Sequence, residues 1–252
     1  MSRNWSAVFK AFLKKELLET LRSMKTVMIM SIAMTNLLQY MTMEEVMKLH
    51  LDPDTTAVQL GSISMYMSVI LILFIGHTLV NRYIYDERKC KAIHVVLASG
   101  ADQTAIWLAK MAAAILVSTV LLLLTVGLNA GFVSVYYHLS IRYTTLSAAL
   151  TFVTMPMLCF GLLSLISVAY WYFKNMDVFG ILFPILAYMG IWNLSVQLAG
   201  SLIPGYLVVV SLAIGVGLFA VSFFLVSIYK VSHSPVLYIK TAKTKSIVLA
   251  PR

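Results

Sequence analysis

Charge is scarce in this chain. Only 12% of its 252 residues are Asp, Glu, Lys or Arg, and 60% are hydrophobic. Soluble domains carry about 25% charged residues, so a soluble globular protein is excluded. Cysteine is almost absent. Cys90 and Cys159 fall in different environments, one in a polar loop and one in an apolar run, which argues against a disulfide. No Cys/His spacing suggests a metal site. No Gly-x-x-x-x-Gly-Lys-Ser/Thr occurs, so the chain does not hold ATP by a phosphate loop. No acid or base stands in the middle of any apolar run, where ion-coupled transporters keep one at a cost of about 3 kcal/mol or more. The spans hold no acid dyad, no Ser/His spacing and no HExxH helix that would serve an intramembrane protease. His77 is the one ionisable candidate, and a lone histidine there reads as a neutral, hydrogen-bonded packing residue. No cleavable signal is legible before Arg22, so the first span is expected to be its own insertion signal. No internal repeat stands out, which argues against inverted-repeat transporters.

What remains is apolar length. Crossing a bilayer core of about 30 Å takes about 20 apolar residues. Six runs qualify, near Thr26–Met43, Ser62–Val80, Met111–Val135, Thr145–Trp171, Val178–Leu198 and Leu207–Tyr229. Six spans put both termini on one side. That side carries 17 of the 19 Lys and Arg residues, which makes it cytosolic by the positive-inside rule. The net charge of +9 then lies along a membrane rim facing anionic lipid, and no nucleic-acid partner is implied.

The segment 1–25 predicts an amphipathic interfacial helix. Trp5, Val8, Phe9, Phe12 and Leu13 share a face opposite Lys10, Lys14 and Lys15. Beyond Leu13 the apolar side moves: Leu17, Leu18 and Leu21 take the basic face, and Glu16 and Glu19 the apolar one. Either the helix bends near Lys15 or its second half packs on another element. Glu44–Leu51 suits a short surface helix, and Asp52-Pro53-Asp54 a turn. Gly127 and Gly131 form a GxxxG near the far end of the third span. Tyr170 to Phe173 make an aromatic belt, and Pro184 predicts a kink. Asn36, Gln39, Asn193 and Gln197 are the polar residues expected beside a substrate path. Met24, Met28, Met30, Met34, Met41, Met43 and Met47 crowd the first span, where they suit either an adaptable apolar path or ordinary packing.

The loop 82–110 is the one sizeable polar segment between two long apolar runs on the basic side. It predicts a cytosolic helix over 84–98, with Ala92, Ile93, Val96 and Leu97 at helical spacing. Gly100 ends it, and Asp102 N-caps the next helix. Asp86-Glu87-Arg88, then Val96-Leu97-Ala98-Ser99, the break at Gly100 and Lys110 at the mouth of the third span resemble the type-2 ATP-binding-cassette permeases, the membrane subunits of many bacterial exporters. Lys89, Cys90 and Lys91 stand where the family often has Gly-Thr or Gly-Ser, and Gly100 where it often has Pro.

The fold class this implies is all-α. It has six transmembrane helices over 26–229, the N-terminal interfacial helix, a cytosolic coupling helix between spans two and three, and a basic cytosolic tail over 230–252. The resemblance implies a location in the bacterial cytoplasmic membrane. It also implies a second permease chain, identical or related, and separate ATPase subunits that hold ATP and Mg; no cofactor or catalytic residue is expected in this chain. Glu87, Arg88, Ala92, Ile93, Val96, Leu97 and Gly100 would couple to the ATPase, and the cargo would be an antimicrobial peptide, a drug or a lipid-like molecule. The alternatives are a regulatory or scaffold membrane protein that docks a cytosolic partner through the same loop, and an intramembrane enzyme centred on His77.

Overall fold

The computed structural model describes residues 5–48, 52–90, 92, 95, 97, 101–173 and 206–228. Among them there are helices and no strands. In order these are α1 (Trp5–Ser23), α2 (Lys25–Met47), α3 (Pro53–Val80), α4 (Gln103–Tyr136), α5 (Thr145–Tyr172) and α6 (Tyr206–Ile228). Three of the described helices are long and apolar enough to cross a membrane: α4, α5 and Val208–Ile228 of α6. Helices α2 and α3 cover the residues of the first two expected spans but are not among these three. The fifth expected span, Val178–Leu198, with Asn193, Gln197 and Pro184, lies outside the described residues, as does the tail.

Helix α2 is inside-out relative to a helix of a soluble protein. On α2 the buried positions are Ser31, Thr35, Gln39 and Met43, a strict i, i+4 stripe. Ile29, Met30, Met34, Leu37 and Met41 face outward. The methionines noted in the sequence therefore split: Met30, Met34 and Met41 are exposed, Met24 and Met43 are buried, Met28 packs at the core's edge and Met47 is half-buried. Lipid is as apolar as leucine, so hydrophobic burial does not hold such helices together. Close packing of small and hydrogen-bonding side chains does.

Helix α1 follows the same logic. It runs unbroken through Lys15, so its second half packs rather than bends. Val8, Phe12 and Leu13 meet the core, and the stripe continues through Glu16, Thr20 and Met24, all buried. Leu18 and Leu21 point outward. The apolar face migrates because the inner surface becomes polar where α1 meets α3 and α4.

Several boundaries differ from the sequence expectation. Glu44–Met47 is the last turn of α2, not a separate helix. Asp52 does not close a turn; its carboxylate accepts from the Thr55 N–H at 2.9 Å, and Pro53 opens α3 two turns earlier than the apolar run suggests. Beyond Val80 the chain continues as a π-helical stretch, Asn81–Asp86, and a helical turn, Glu87–Lys89. A second π-helical stretch, Leu150–Thr154, precedes Pro156 in α5, where the missing N–H and the ring disfavour a regular α turn. Asp102 does cap α4, accepting from Ala105 N–H at 3.0 Å.

A close backbone crossing joins α5 to α6. A Cβ on Gly161 would overlap the carbonyl of Gly215, and one on Gly215 would lie 2.6 Å from the Met157 carbonyl oxygen. Backbone meets backbone here, so neither side can give way. In contrast, a Cβ on Gly127, Gly131 or Gly217 meets nothing within 4 Å among the described residues. The GxxxG of α4 thus makes no close backbone contact among the described residues, and the unheralded Gly161/Gly215 pair does. Gly161→Ala and Gly215→Ala are each expected to destabilise the bundle by about 2 kcal/mol. Gly217→Ala should be neutral, or stabilising by up to about 1 kcal/mol through helix propensity. Thermal unfolding of the three variants in detergent would check the ranking.

Candidate functional site

The spacing of charges along the sequence does not reveal where they meet. Lys110 lies near the start of α4 and is fully buried. Its ammonium donates to Glu16 Oε1 of α1 at 2.6 Å and to Glu87 Oε2 at 2.9 Å. Lys15 of α1 donates to the other oxygen of Glu87, Oε1, at 2.7 Å, and lies 3.4 Å from Glu16 Oε1. Two ammoniums and two carboxylates alternate, and the four charges cancel. Around them, Arg82 Nη2 bonds Glu19 Oε1 at 3.3 Å, and Lys110 sits 5.8 Å from the Tyr83 ring centroid. The Thr20 hydroxyl gives its proton to the Glu16 carbonyl oxygen at 2.8 Å and accepts from the Tyr83 hydroxyl.

Three elements are tied together here: α1, the root of α4, and the extension of α3. The π-helical stretch makes this possible. It buries three successive side chains, Tyr83, Ile84 and Tyr85, among more than one neighbouring helix. Tyr83 meets α1, while Tyr85 lies against Tyr170 of α5 with ring centroids 5.3 Å apart.

Immediately after it, Glu87 and Arg88 work in opposite directions. Glu87 joins the charge network. The Arg88 guanidinium donates to the carbonyl oxygens of Tyr170 at 2.9 Å, Phe173 at 2.6 Å and Tyr172 at 3.4 Å. It thereby satisfies the open carbonyls at the C-terminus of α5 and lies at the negative end of its dipole. His77 is buried, with Nε2 2.7 Å from the Tyr170 hydroxyl. Gln103 adds α6 to this end of the bundle, donating to the Val226 carbonyl oxygen at 3.5 Å.

Of the residues expected to couple to a partner, Glu87 and Arg88 are thus engaged within the chain. Ala92, Val95 and Leu97 are helical. Ala92 is exposed, but Leu97 packs against the core, and Val95, absent from the expected docking set, is 72% exposed. Ile93, Val96 and Gly100 lie outside the described residues. At the opposite end of the bundle, Asn36 is half-buried and donates to the Ile32 carbonyl oxygen at 2.7 Å, while Gln39 is buried and accepts from Asn129 of α4. Sequence reading singled out Glu87, Lys110, Asn36 and Gln39 but not their partners. The signal for Glu16 was its position on the face that should have been apolar. No family model, curated protein or solved structure matches the chain.

The network sets a pH window. Burial pushes the Glu87 carboxyl up, but Lys110 and Lys15 outweigh it and hold it below its ordinary value of 4.5. Burial lowers Lys15, but its bond to Glu87 and the nearby carboxylates raise it above 10.5. A depressed carboxyl contributes stability that is present above its unfolded value and lost as pH falls through its folded one. A raised amine contributes stability that is present below its unfolded value and lost as pH rises through its folded one. Stability is therefore expected to be flat between these limits and to fall below pH 4.5 and above pH 10.5. Tryptophan-fluorescence melts across pH would show this. Lys110→Met removes the buried one of the two cations that Glu16 and Glu87 share and should cost about 3 kcal/mol or more. Adding Glu16→Gln should recover part of that loss, and the same melts would measure both.

Proposed function

We propose that this chain is the membrane subunit of an ATP-driven exporter of the type-2 ATP-binding-cassette kind, working beside a second permease chain and separate ATPase subunits. The observation that carries the reading is the opposed anchoring of Glu87 and Arg88. A cytosolic grip on the segment that follows them would pull on α1 and α4 through Glu87 and on α5 through Arg88. A flexible connector has no use for such fixation, and a lever requires it. The phosphate loop missing from the sequence fits an energy source on another chain. Six spans, cytosolic termini and an amphipathic cargo belong to the same proposal.

The exposed Val95, one turn beyond Ala92 on the helical part of the loop, is the residue best placed to meet a soluble partner without disturbing the bundle. Ala92→Glu with Val95→Glu is expected to leave the melting temperature within about 2 °C, since surface changes cost about 0.5 kcal/mol or less. The same pair should lower by at least about tenfold the ATP hydrolysis of a complex purified from native membranes, as the loss of a central interface contact does. Hydrolysis and cargo movement unchanged by these substitutions would remove the coupling role. Recovery of a soluble partner with no ATPase among the co-purifying proteins would instead favour a scaffold.

A further inference from the structure

The end of the bundle away from the charge network holds polar atoms that its own packing does not use. Asn129 lies beyond Lys110 on α4, about 28 Å along a helix that rises 1.5 Å per residue. It is 4% exposed. Its amide donates one N–H to the side-chain oxygen of Gln39 on α2. Among the described residues its carbonyl oxygen and second N–H take no partner. Asn129 also lines a cleft of about 370 Å³ between α2 and α4, with Asn36, Tyr40, Leu128 and Phe132. The Tyr40 and Phe132 rings meet edge to face at 5.7 Å. Asn36 commits its N–H to the Ile32 carbonyl oxygen of its own helix. Among the described residues no charged side chain lines the cleft.

An amide left partly unpaired in an apolar setting is unfavourable, and acyl chains offer it neither donor nor acceptor. A secondary amide offers both. Its N–H can give to the Asn129 carbonyl oxygen while its C=O accepts the remaining Asn129 N–H. Its apolar flanks would lie against Tyr40, Leu128 and Phe132. A carboxylate or ammonium would find no counter-charge.

We propose that this cleft is a binding subsite for uncharged, amide-bearing apolar molecules, of which a capped hydrophobic peptide is the simplest example. The inference rests on the permease reading only in treating the ligand as cargo, because binding itself requires no ATPase.

The test uses the full chain in nanodiscs, without ATP or a partner. The probe is a benzophenone-bearing N-acetyl-Leu-Leu-amide. Its control is the depsipeptide in which an ester replaces the central amide and removes one N–H at constant shape. The amide probe should label the 36–40 and 128–132 segments, and the ester should need about tenfold more for the same labelling, the effect of one lost hydrogen bond. Asn129→Leu should abolish that discrimination. Leu128→Trp fills the cleft from an exposed position without touching the amide pair, and should abolish labelling while the protein melts normally. Equal labelling by amide and ester, or labelling unchanged in Leu128→Trp, would overturn the subsite. Binding without ATP-driven movement in the assembled complex would overturn the transport reading and leave the subsite standing.

Discussion

An ammonium cannot stay charged away from water unless anions surround it, and this condition at Lys110 organises one end of the molecule. Its Nζ is fully buried and takes a carboxylate oxygen from each of two elements distant in sequence. Helix α1 must therefore lie where Glu16 can reach, and the chain after α3 must turn so that Glu87 can. The Coulomb gain alone does not make such a cluster more stable than well-packed apolar side chains would be. What it supplies is an arrangement with few alternatives, because any displacement of one member leaves another charge buried and unpaired.

The second constraint is the solvent. In a bilayer the outer surface must be apolar and the contacts between helices need not be. This explains why the amphipathicity of α1 and α2 looks confused when read as that of soluble helices. Glu16 and Thr20 on α1, and Ser31, Thr35 and Gln39 on α2, occupy the side that packs, while Leu18, Leu21, Met30 and Met34 face outward. The sequence contained the helices themselves, the Asp102 cap, the loop after the second apolar run and the importance of Glu87, Arg88 and Lys110. It also marked the shift of face at Leu13, whose cause was a polar partner on another element. No local pattern could identify that partner, since Glu16 and Lys110 are far apart along the chain.

The illegible features share one physical origin. A π-helical turn adds a residue to a helix without leaving a propensity signal, and it decides which way Glu87 and Arg88 point. The apolar periodicity of the loop placed Leu97 on an outward face. In the fold Leu97 meets the core and Val95 is exposed. Likewise GxxxG is a spacing, and a spacing becomes a contact only if another backbone approaches. It does at Gly161, opposite Gly215, where no motif announced it, and among the described residues no such approach occurs at Gly127 or Gly131.

Helix α4 is the element common to the charge network and the amide pair. It carries Lys110 at one end and Asn129 toward the other, and it contains no proline. Helix α5, in contrast, is interrupted by a π-helical stretch just before Pro156. A straight, fully hydrogen-bonded helix is stiff along its axis, whereas irregular turns are where helices bend. Any displacement of Glu87 must either break its bonds to Lys110 and Lys15, stranding buried charge, or carry Lys110 along. Breaking those bonds costs several kcal/mol for a pair this buried, so carrying is the easier course. A shift of α4 as a unit then moves Asn129 against Gln39 and alters the cleft between them. Helix α4 thus links the two polar clusters through one uninterrupted run of helical hydrogen bonds from Gln103 to Tyr136.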